Sequence, residues 1–140
     1  MAAGDFTLFE EFANQLGSEN HNFENGGDTI KLALIDDTVT PTAADATPMW
    51  GAGSGVDYDA NEVTDAGGYT AGGETLANQS FDRVDEVATF DADNVELAQD
   101  PSGFTDARWG ILYNDTNASK KAIGFLDLGG DISEQAGPIA

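Results

Sequence analysis

The stretch ARWGILYNDTNASKKAIGFLDLGG, residues 107 to 130, decides the fold class of this chain. In its first part large apolar residues recur at every second position, which predicts a strand. One face of that predicted strand is made by Trp109, Ile111 and Tyr113. Residues 114 to 119, NDTNAS, are rich in turn formers and predict the loop of a β-hairpin.

The second part of the stretch predicts the return strand of the hairpin. Ile123 and Phe125 are expected on one face, and Leu126 and Leu128 on the other. Residues 84–130, which also include an alternating segment at 84–93, are therefore predicted to form a β core.

Residues 5–17 are predicted to form an N-terminal helix. Thr7 and Glu10 match a capping box, and Gly17 supplies a stop. The residues at helical spacing are Phe9, Phe12, Ala13 and Leu16. Residues 29–36 then predict a strand with Ile30, Leu32 and Leu34 on one face.

Together these elements predict one domain over residues 1–140, mainly β and β-sandwich-like, with an N-terminal helix. Residues 37–80 have no sustained hydrophobic period and are predicted to be a long loop or an arm that a partner orders. If the arm is passive, the N-terminal helix is the next candidate contact. The predicted partner contacts are Trp50, Val56 and Tyr58 on the arm and Phe9 and Phe12 on the helix.

The glycine-rich segment GGYTAGGETL, residues 67 to 76, is predicted to be a turn between strands and not a phosphate-binding loop. A phosphate-binding loop needs a lysine after its last glycine, whereas this chain has Glu74 after Gly73. His21 is the only histidine, cysteine is absent, and no nucleophile elbow is present. We predict no enzymatic activity and no cofactor.

The charge balance bears on the choice of partner. Acidic residues outnumber basic ones 26 to 5, which gives a formal net charge of −21. Nucleic acids and anionic membranes are bound through lysine and arginine, so neither is an expected partner. No run of about 20 apolar residues predicts a membrane span.

The clustered acidic residues are candidate calcium ligands. Residues 57–61 match the first three ligand positions of an EF-hand loop. Glu62 then occupies the position that requires glycine, and Gly68 occupies the position that requires glutamate. The EF-hand interpretation fails, and a looser site at Asp57 with Asp59, or at Asp91 with Asp93, stays open.

The order of these motifs resembles a family of small virion structural proteins of tailed bacteriophages. The likeness spans roughly residues 29–130. The matching residues are Gly68, Tyr69, Gly72, Gly73, Leu76, Tyr113, Asn114, Asp115, Thr116, Ile123, Gly124, Asp127 and Gly129. The resemblance implies a structural role and transfers no active site. The chain departs from the family in its greater acidity and in a longer stretch before residue 67.

The resemblance implies a capsid decoration, or cement, protein on the outside of an icosahedral head, assembled in the host cytoplasm. Its implied partners are the major capsid protein and further copies of itself, in a trimer. A tail- or fibre-associated protein is the alternative within virions. A carbohydrate-binding β-sandwich is the alternative from another class, with Trp50, Tyr58 or Trp109 as stacking platforms.

The excess charge predicts that salt stabilises the fold. Because 21 negative charges repel one another, the melting temperature should rise with sodium chloride, most steeply below about 0.1 M, where the Debye length exceeds roughly 10 Å. A melting series at constant pH measures this. A flat or falling melting temperature would contradict the prediction.

Overall fold

The chain folds around a five-stranded antiparallel sheet. The computed structural model describes residues 4–18, 20–51, 55–64, 66–133 and 135. The strands in these ranges are β1 (Phe6–Leu8), β2 (Ile30–Ile35), β3 (Glu74–Thr75), β4 (Ser80–Val84), β5 (Val87–Asp91), β6 (Ala107–Asn114) and β7 (Ala122–Ile132). The same ranges include the helix α1 (Glu11–Gly17) and a 3-10 turn at Asp59–Asn61.

The strand order of the main sheet is β1-β7-β6-β2-β3, and β4 pairs with β5 in a separate two-stranded sheet. The central strand β6 pairs antiparallel with β7 on one side and with β2 on the other. The predicted fold class, mainly β with one short N-terminal helix and sandwich-like layers, is confirmed. The strand predicted at 29–36 is confirmed as β2.

The predicted hairpin of residues 107–130 is present, but its second strand carries a β-bulge. The prediction that Ile123 and Phe125 share a face is wrong, because the two side chains pack in different clusters on opposite faces of the sheet. The pairs on either side of Ile123 are Leu112 with Gly124 and Tyr113 with Ala122. Ile123 is therefore one extra residue, which reverses the alternation along β7.

The predicted helix at residues 5–17 is shorter than expected. Its first residues form β1, which pairs with β7, and α1 begins only at Glu11. The predicted capping box is wrong, because Glu10 occupies the N-cap position in place of Thr7 and makes no side-chain cap hydrogen bond. Gln15 is the buried residue of α1. Pairing with the long strand β7 overrides the local helical pattern here.

The segment at 84–93 is half of a hairpin and not a single strand. β4 and β5 pair across the two-residue turn Asp85–Glu86, in which Asp85 has a φ of 55°. Aspartate tolerates this left-handed conformation, so the turn forms without glycine. Most residues of the hairpin are exposed.

The described residues between positions 37 and 80 contain little regular structure, as predicted, but their aromatic side chains pack on the chain's own sheet. Trp50 stacks on Tyr113 with ring centroids 5.2 Å apart and an interplanar angle of 14°. Tyr58 is fully buried and packs against Phe9. The expectation that this segment needs a partner to order it is wrong, because the sheet provides the apolar surface that offsets the ordering entropy.

The main sheet thus lies between two apolar layers. The first face is covered by Phe9, which lies between β1 and α1, and by the segment that carries Trp50 and Tyr58. The second face is covered by two groups of side chains from separate segments. These are Phe23 with Phe90 at one end and Val63, Tyr69, Leu97 and Phe104 at the other.

The glycine-rich turn at 67–76 has a structural reason for its composition. Gly72 and Gly73 have φ values of 90° and 87°, a region that favours glycine. A Cβ atom on Gly73 would lie 2.4 Å from the Leu32 carbonyl oxygen. The turn is held by Glu62, whose Oε1 accepts hydrogen bonds from the Tyr69 hydroxyl at 2.7 Å and the Gly72 amide at 2.6 Å. The prediction of a turn is confirmed.

Gly73→Ala is expected to lower the free energy of unfolding by about 2 kcal/mol or more, because a left-handed conformation and a backbone clash are combined at one residue. Gly130→Ala is the matched control, since a Cβ there meets no atom within 4 Å. The control should change stability by less than about 0.5 kcal/mol. Urea denaturation measures both, and equal effects would contradict the assignment.

Candidate functional site

An apolar groove of about 420 Å³ opens on the second face of the main sheet, beside the β4–β5 hairpin. This volume falls in the range of roughly 300–1,000 Å³ that is typical of ligand sites. All twelve side chains that line the groove are apolar. They come from the main sheet, from the hairpin, from α1 and from the connectors around Phe23 and Leu76.

The floor of the groove is made by the main sheet. Leu32 and Leu112 are directly paired across β2 and β6, and Phe6 and Leu126 are paired across β1 and β7. Two glycines on the same face, Gly110 and Gly124, set how closely these side chains approach. Gly124 is required beneath Phe6, because a Cβ there would lie 2.4 Å from the Phe6 ring. Ile123 joins the lining because the bulge turns it to this face.

The wall of the groove is made by the β4–β5 hairpin. Phe81 and Phe90 are paired across the two strands, and Ala88 follows on the same face. Both rings pack on Phe23, with centroid distances of 5.7 Å and 5.0 Å. The base of the hairpin is held by Gln79, whose Nε2 donates to two backbone carbonyls of residues 24 and 28.

Several side chains of the groove are only partly covered. Phe6 is 46% exposed, Leu8 is 48% exposed and Phe81 is 43% exposed. In contrast, Val84 and Val87 pair on the other face of the hairpin, where they do not line the groove. A partly open apolar groove on a charged protein is typical of an interaction site.

A buried polar network lies next to the groove. The His21 ring lies between Phe12 and Phe23, with centroid distances of 5.7 Å and 5.3 Å. His21 Nδ1 lies 3.0 Å from Asn114 Nδ2, and its Nε2 lies 2.7 Å from Gln15 Oε1. Since the Asn114 amide nitrogen is a donor, Nδ1 accepts and the neutral ring carries its proton on Nε2.

Burial lowers the pKa of His21 to about 4. The carboxylate of Asp28 opposes this shift and the ammonium group of Lys121 adds to it. Asp28 is nonetheless within reach of the network, because its Oδ2 accepts a hydrogen bond from Asn114 Nδ2 at 2.7 Å. The network therefore holds α1 and the connector against β6 while His21 is neutral.

Most cations of the described residues are engaged away from the groove. Lys31 and Lys120 both pair with Asp115, the former at 3.4 Å. The hydrogen bond from Lys120 lowers the pKa of Asp115. Arg108 pairs with Asp127 at 2.5 Å. These pairs leave most of the acidic surface without a neutralising partner from lysine or arginine.

The structure places the predicted contact residues in two different environments, the core and the groove. Phe9, Trp50 and Tyr58 are buried in the first-face core, and Val56 packs partly buried against it. Phe9, Trp50 and Tyr58 therefore contribute to the core of the chain and present little surface to a partner. Phe12 lines the groove and stays a candidate contact.

The sequence-based prediction does not include the other phenylalanines of the groove, which are Phe6, Phe23, Phe81 and Phe90. No local signal separates them from core phenylalanines, since the buried Phe9 is also directly adjacent to a carboxylate residue, Glu10.

The two looser calcium sites left open by the sequence contain aspartates that make hydrogen bonds within the chain. Asp57 Oδ1 accepts hydrogen bonds from the Gly51 and Asp59 amides at 2.8 Å and 3.0 Å, so it closes a loop. Asp93 Oδ2 accepts a hydrogen bond from Asn78 Nδ2 at 2.7 Å. Within the described ranges, no group of three or more potential ligands is arranged to hold a metal ion.

A carbohydrate-binding site, the alternative function from another class, needs aromatic rings whose faces are exposed. Trp50, Tyr58 and Trp109 are 4%, 0% and 8% exposed, so none of them presents a ring face to a sugar. In the part of the chain that the structure describes, no helix has the length and apolarity to cross a bilayer.

Comparisons of the chain with protein-family models, with curated proteins and with solved structures returned no match.

The lowered pKa of His21 predicts that the stability of the fold depends on pH. The unfolded chain takes up a proton near pH 6.5, whereas the folded chain takes it up only near pH 4, so stability is lost as the pH falls through this window. Urea denaturation from pH 7 to pH 4.5 measures the loss. His21→Gln removes the titration and should flatten the profile. A variant that loses stability as steeply as the wild type would contradict the prediction.

Proposed function

We propose that the chain is a virion structural protein, a capsid decoration protein that attaches to the outside of an icosahedral phage head through the apolar groove. The observation that carries this proposal is the exposed apolar surface at Phe6, Leu8 and Phe81 on a chain of net charge −21. A soluble chain with this charge has no need of such a surface unless a partner covers it. The resemblance of the sequence motifs to those of phage virion proteins supports the capsid as that partner.

A binding role is supported over a reaction by the chemistry of the groove. Its lining contains no acid, base, nucleophile or hydroxyl group. Catalysis needs such groups within hydrogen-bond reach of a reacting atom. Burial of apolar side chains, by contrast, stabilises a complex by about 25 cal/mol for each Å² removed from water.

Attachment would stabilise a head by mass action. A subunit that binds only the mature shell adds RT ln(1 + [L]/Kd) to its stability, about 2.7 kcal/mol per site at a concentration one hundred times Kd. The partners in this proposal are the major capsid protein and sister copies in a trimer. The remaining acidic surface would face solvent and keep decorated particles apart.

Attachment through the groove is tested with particles of the virus that encodes the chain. Leu8→Ser and Phe81→Ser each remove an exposed part of the lining and should lower the affinity for heads about tenfold or more, since burying one such side chain is worth about 1.5–3 kcal/mol. Occupancy is measured by quantitative gel analysis of purified particles. Val84→Ser is the control, because Val84 lies on the other face of the hairpin.

Unfolding curves of the three variants establish that each one is folded. Wild-type occupancy for both groove variants would contradict attachment through the groove. Imaging of labelled protein separates the two virion locations. Label spread over the shell supports decoration, whereas label confined to the tail would replace it with the tail-associated alternative.

A further inference from the structure

We infer that the outer edge of β1 accepts an extended segment of a different protein as an added antiparallel strand. Alternate apolar side chains of that segment lie beside the groove and cover the exposed parts of Phe6 and Leu8. The inference rests on the proposed function in one respect, the assignment of the segment to the capsid protein. The pairing itself is argued from the hydrogen bonds and the exposure of β1.

The outer edge of β1 has free backbone groups in the part of the chain that the structure describes. Two hydrogen bonds to β7 frame the strand, one donated by the Phe9 amide at 3.1 Å and one accepted by the Asp5 carbonyl oxygen at 3.0 Å. Residues of an antiparallel strand bond alternately to one side and to the other. Phe6 and Leu8 therefore direct their N–H and C=O groups away from β7, and β1 pairs with no other described strand.

The side chains of the same two residues form an exposed part of the groove. Phe6 and Leu8 both line it, and nearly half of each side chain remains accessible to solvent. In an antiparallel pair, residues directly opposite each other carry their side chains on the same face of the sheet. An added strand thus places one side chain beside Phe6 and another, two residues away, beside Leu8. The free backbone groups and the exposed side chains have the same spacing, which matches a segment with apolar residues at alternate positions.

The opposite edge of the main sheet lacks this combination. β3 consists of Glu74 and Thr75, and a charged side chain on an edge strand discourages pairing with a further strand. The three residues of β1 are phenylalanine, threonine and leucine, so this strand contains neither a charge nor a proline that would prevent such pairing. Strand addition is therefore assigned to β1.

Charge decides between a second copy of the chain and a different protein. Each copy has a formal net charge of −21, so pairing of two β1 edges would bring two strongly negative chains together. A partner without that excess does not meet this repulsion. A hydrocarbon chain could fill apolar space, but it has no group that bonds to the backbone of Phe6 and Leu8. An extended segment of a different protein satisfies both the edge and the charge.

The pairing is tested with the full chain and labelled, capped peptides, by fluorescence anisotropy at concentrations at which the peptides are monomeric. The parent peptide alternates leucine and threonine. With its leucines on the groove face, the leucine amides face β1 and the threonine amides face away from it. N-methylation of two leucine amides should weaken binding about tenfold or more, because two hydrogen bonds are lost. N-methylation of two threonine amides is the matched control and should change the affinity by less than about twofold.

Two further changes test the side chains and the strand. A peptide with serine in place of leucine should bind at least about tenfold more weakly, because the apolar contacts are lost. Leu8→Pro removes the outward N–H and keeps an apolar side chain, and proline is tolerated where a strand amide faces solvent. This variant should weaken binding of the parent peptide about threefold to tenfold, whereas Leu8→Val keeps the amide and should bind nearly as the wild type does. Unfolding curves establish that both variants are folded.

The results separate the inference from the proposed function. Equal affinities of the two N-methylated peptides would overturn the inference, even if Leu8→Pro proves to be unfolded. A dimer that forms at high sodium chloride and is abolished by Leu8→Pro would identify a second copy as the occupant, which also overturns it. If the peptides behave as expected but Leu8→Ser and Phe81→Ser still decorate heads at wild-type occupancy, attachment through the groove fails and the strand addition stands.

Discussion

The bulge at Ile123 in β7 is the constraint on which the groove depends. Before the bulge, β7 directs Ala122 to the first face, and after it β7 directs Phe125 to that same face. The extra residue sends Ile123 to the second face, where it packs with Leu112 and Phe23. Regular pairing would shift every later side chain of β7 to the other side of the sheet. Leu126 would then leave the floor of the groove and enter the first-face core.

The bulge also places Gly124 opposite Leu8 of β1. Phe6 crosses β7 at this glycine, in space that any Cβ would occupy. The side chains of Phe6 and Leu8 on this edge strand therefore lie on the second face of the sheet, where both are partly exposed. A helix over residues 5–17 would have turned these side chains away from the sheet. The late start of the N-terminal helix and the presence of the groove therefore have one cause, the pairing of β1 with β7.

The sequence was sufficient for the parts of the fold that local alternation encodes. β2 and β6 follow from their two-residue period, and the turn at Gly72 and Gly73 follows from its glycines. It was insufficient where a distant strand decides the outcome. Nothing local in FTL specifies pairing with β7, and nothing local around Trp50 and Tyr58 shows that the sheet covers them. The groove could be predicted least, since its lining comes from segments between Phe6 and Leu126 that only the tertiary fold brings together.

The extreme acidity and the open groove belong to the same physical arrangement. An apolar groove on a neutral protein would favour association of identical copies through that surface. Here each copy carries a formal net charge of −21, so two copies that approach each other repel at long range. That repulsion raises the free energy of association through the groove, and dissolved salt weakens it by screening.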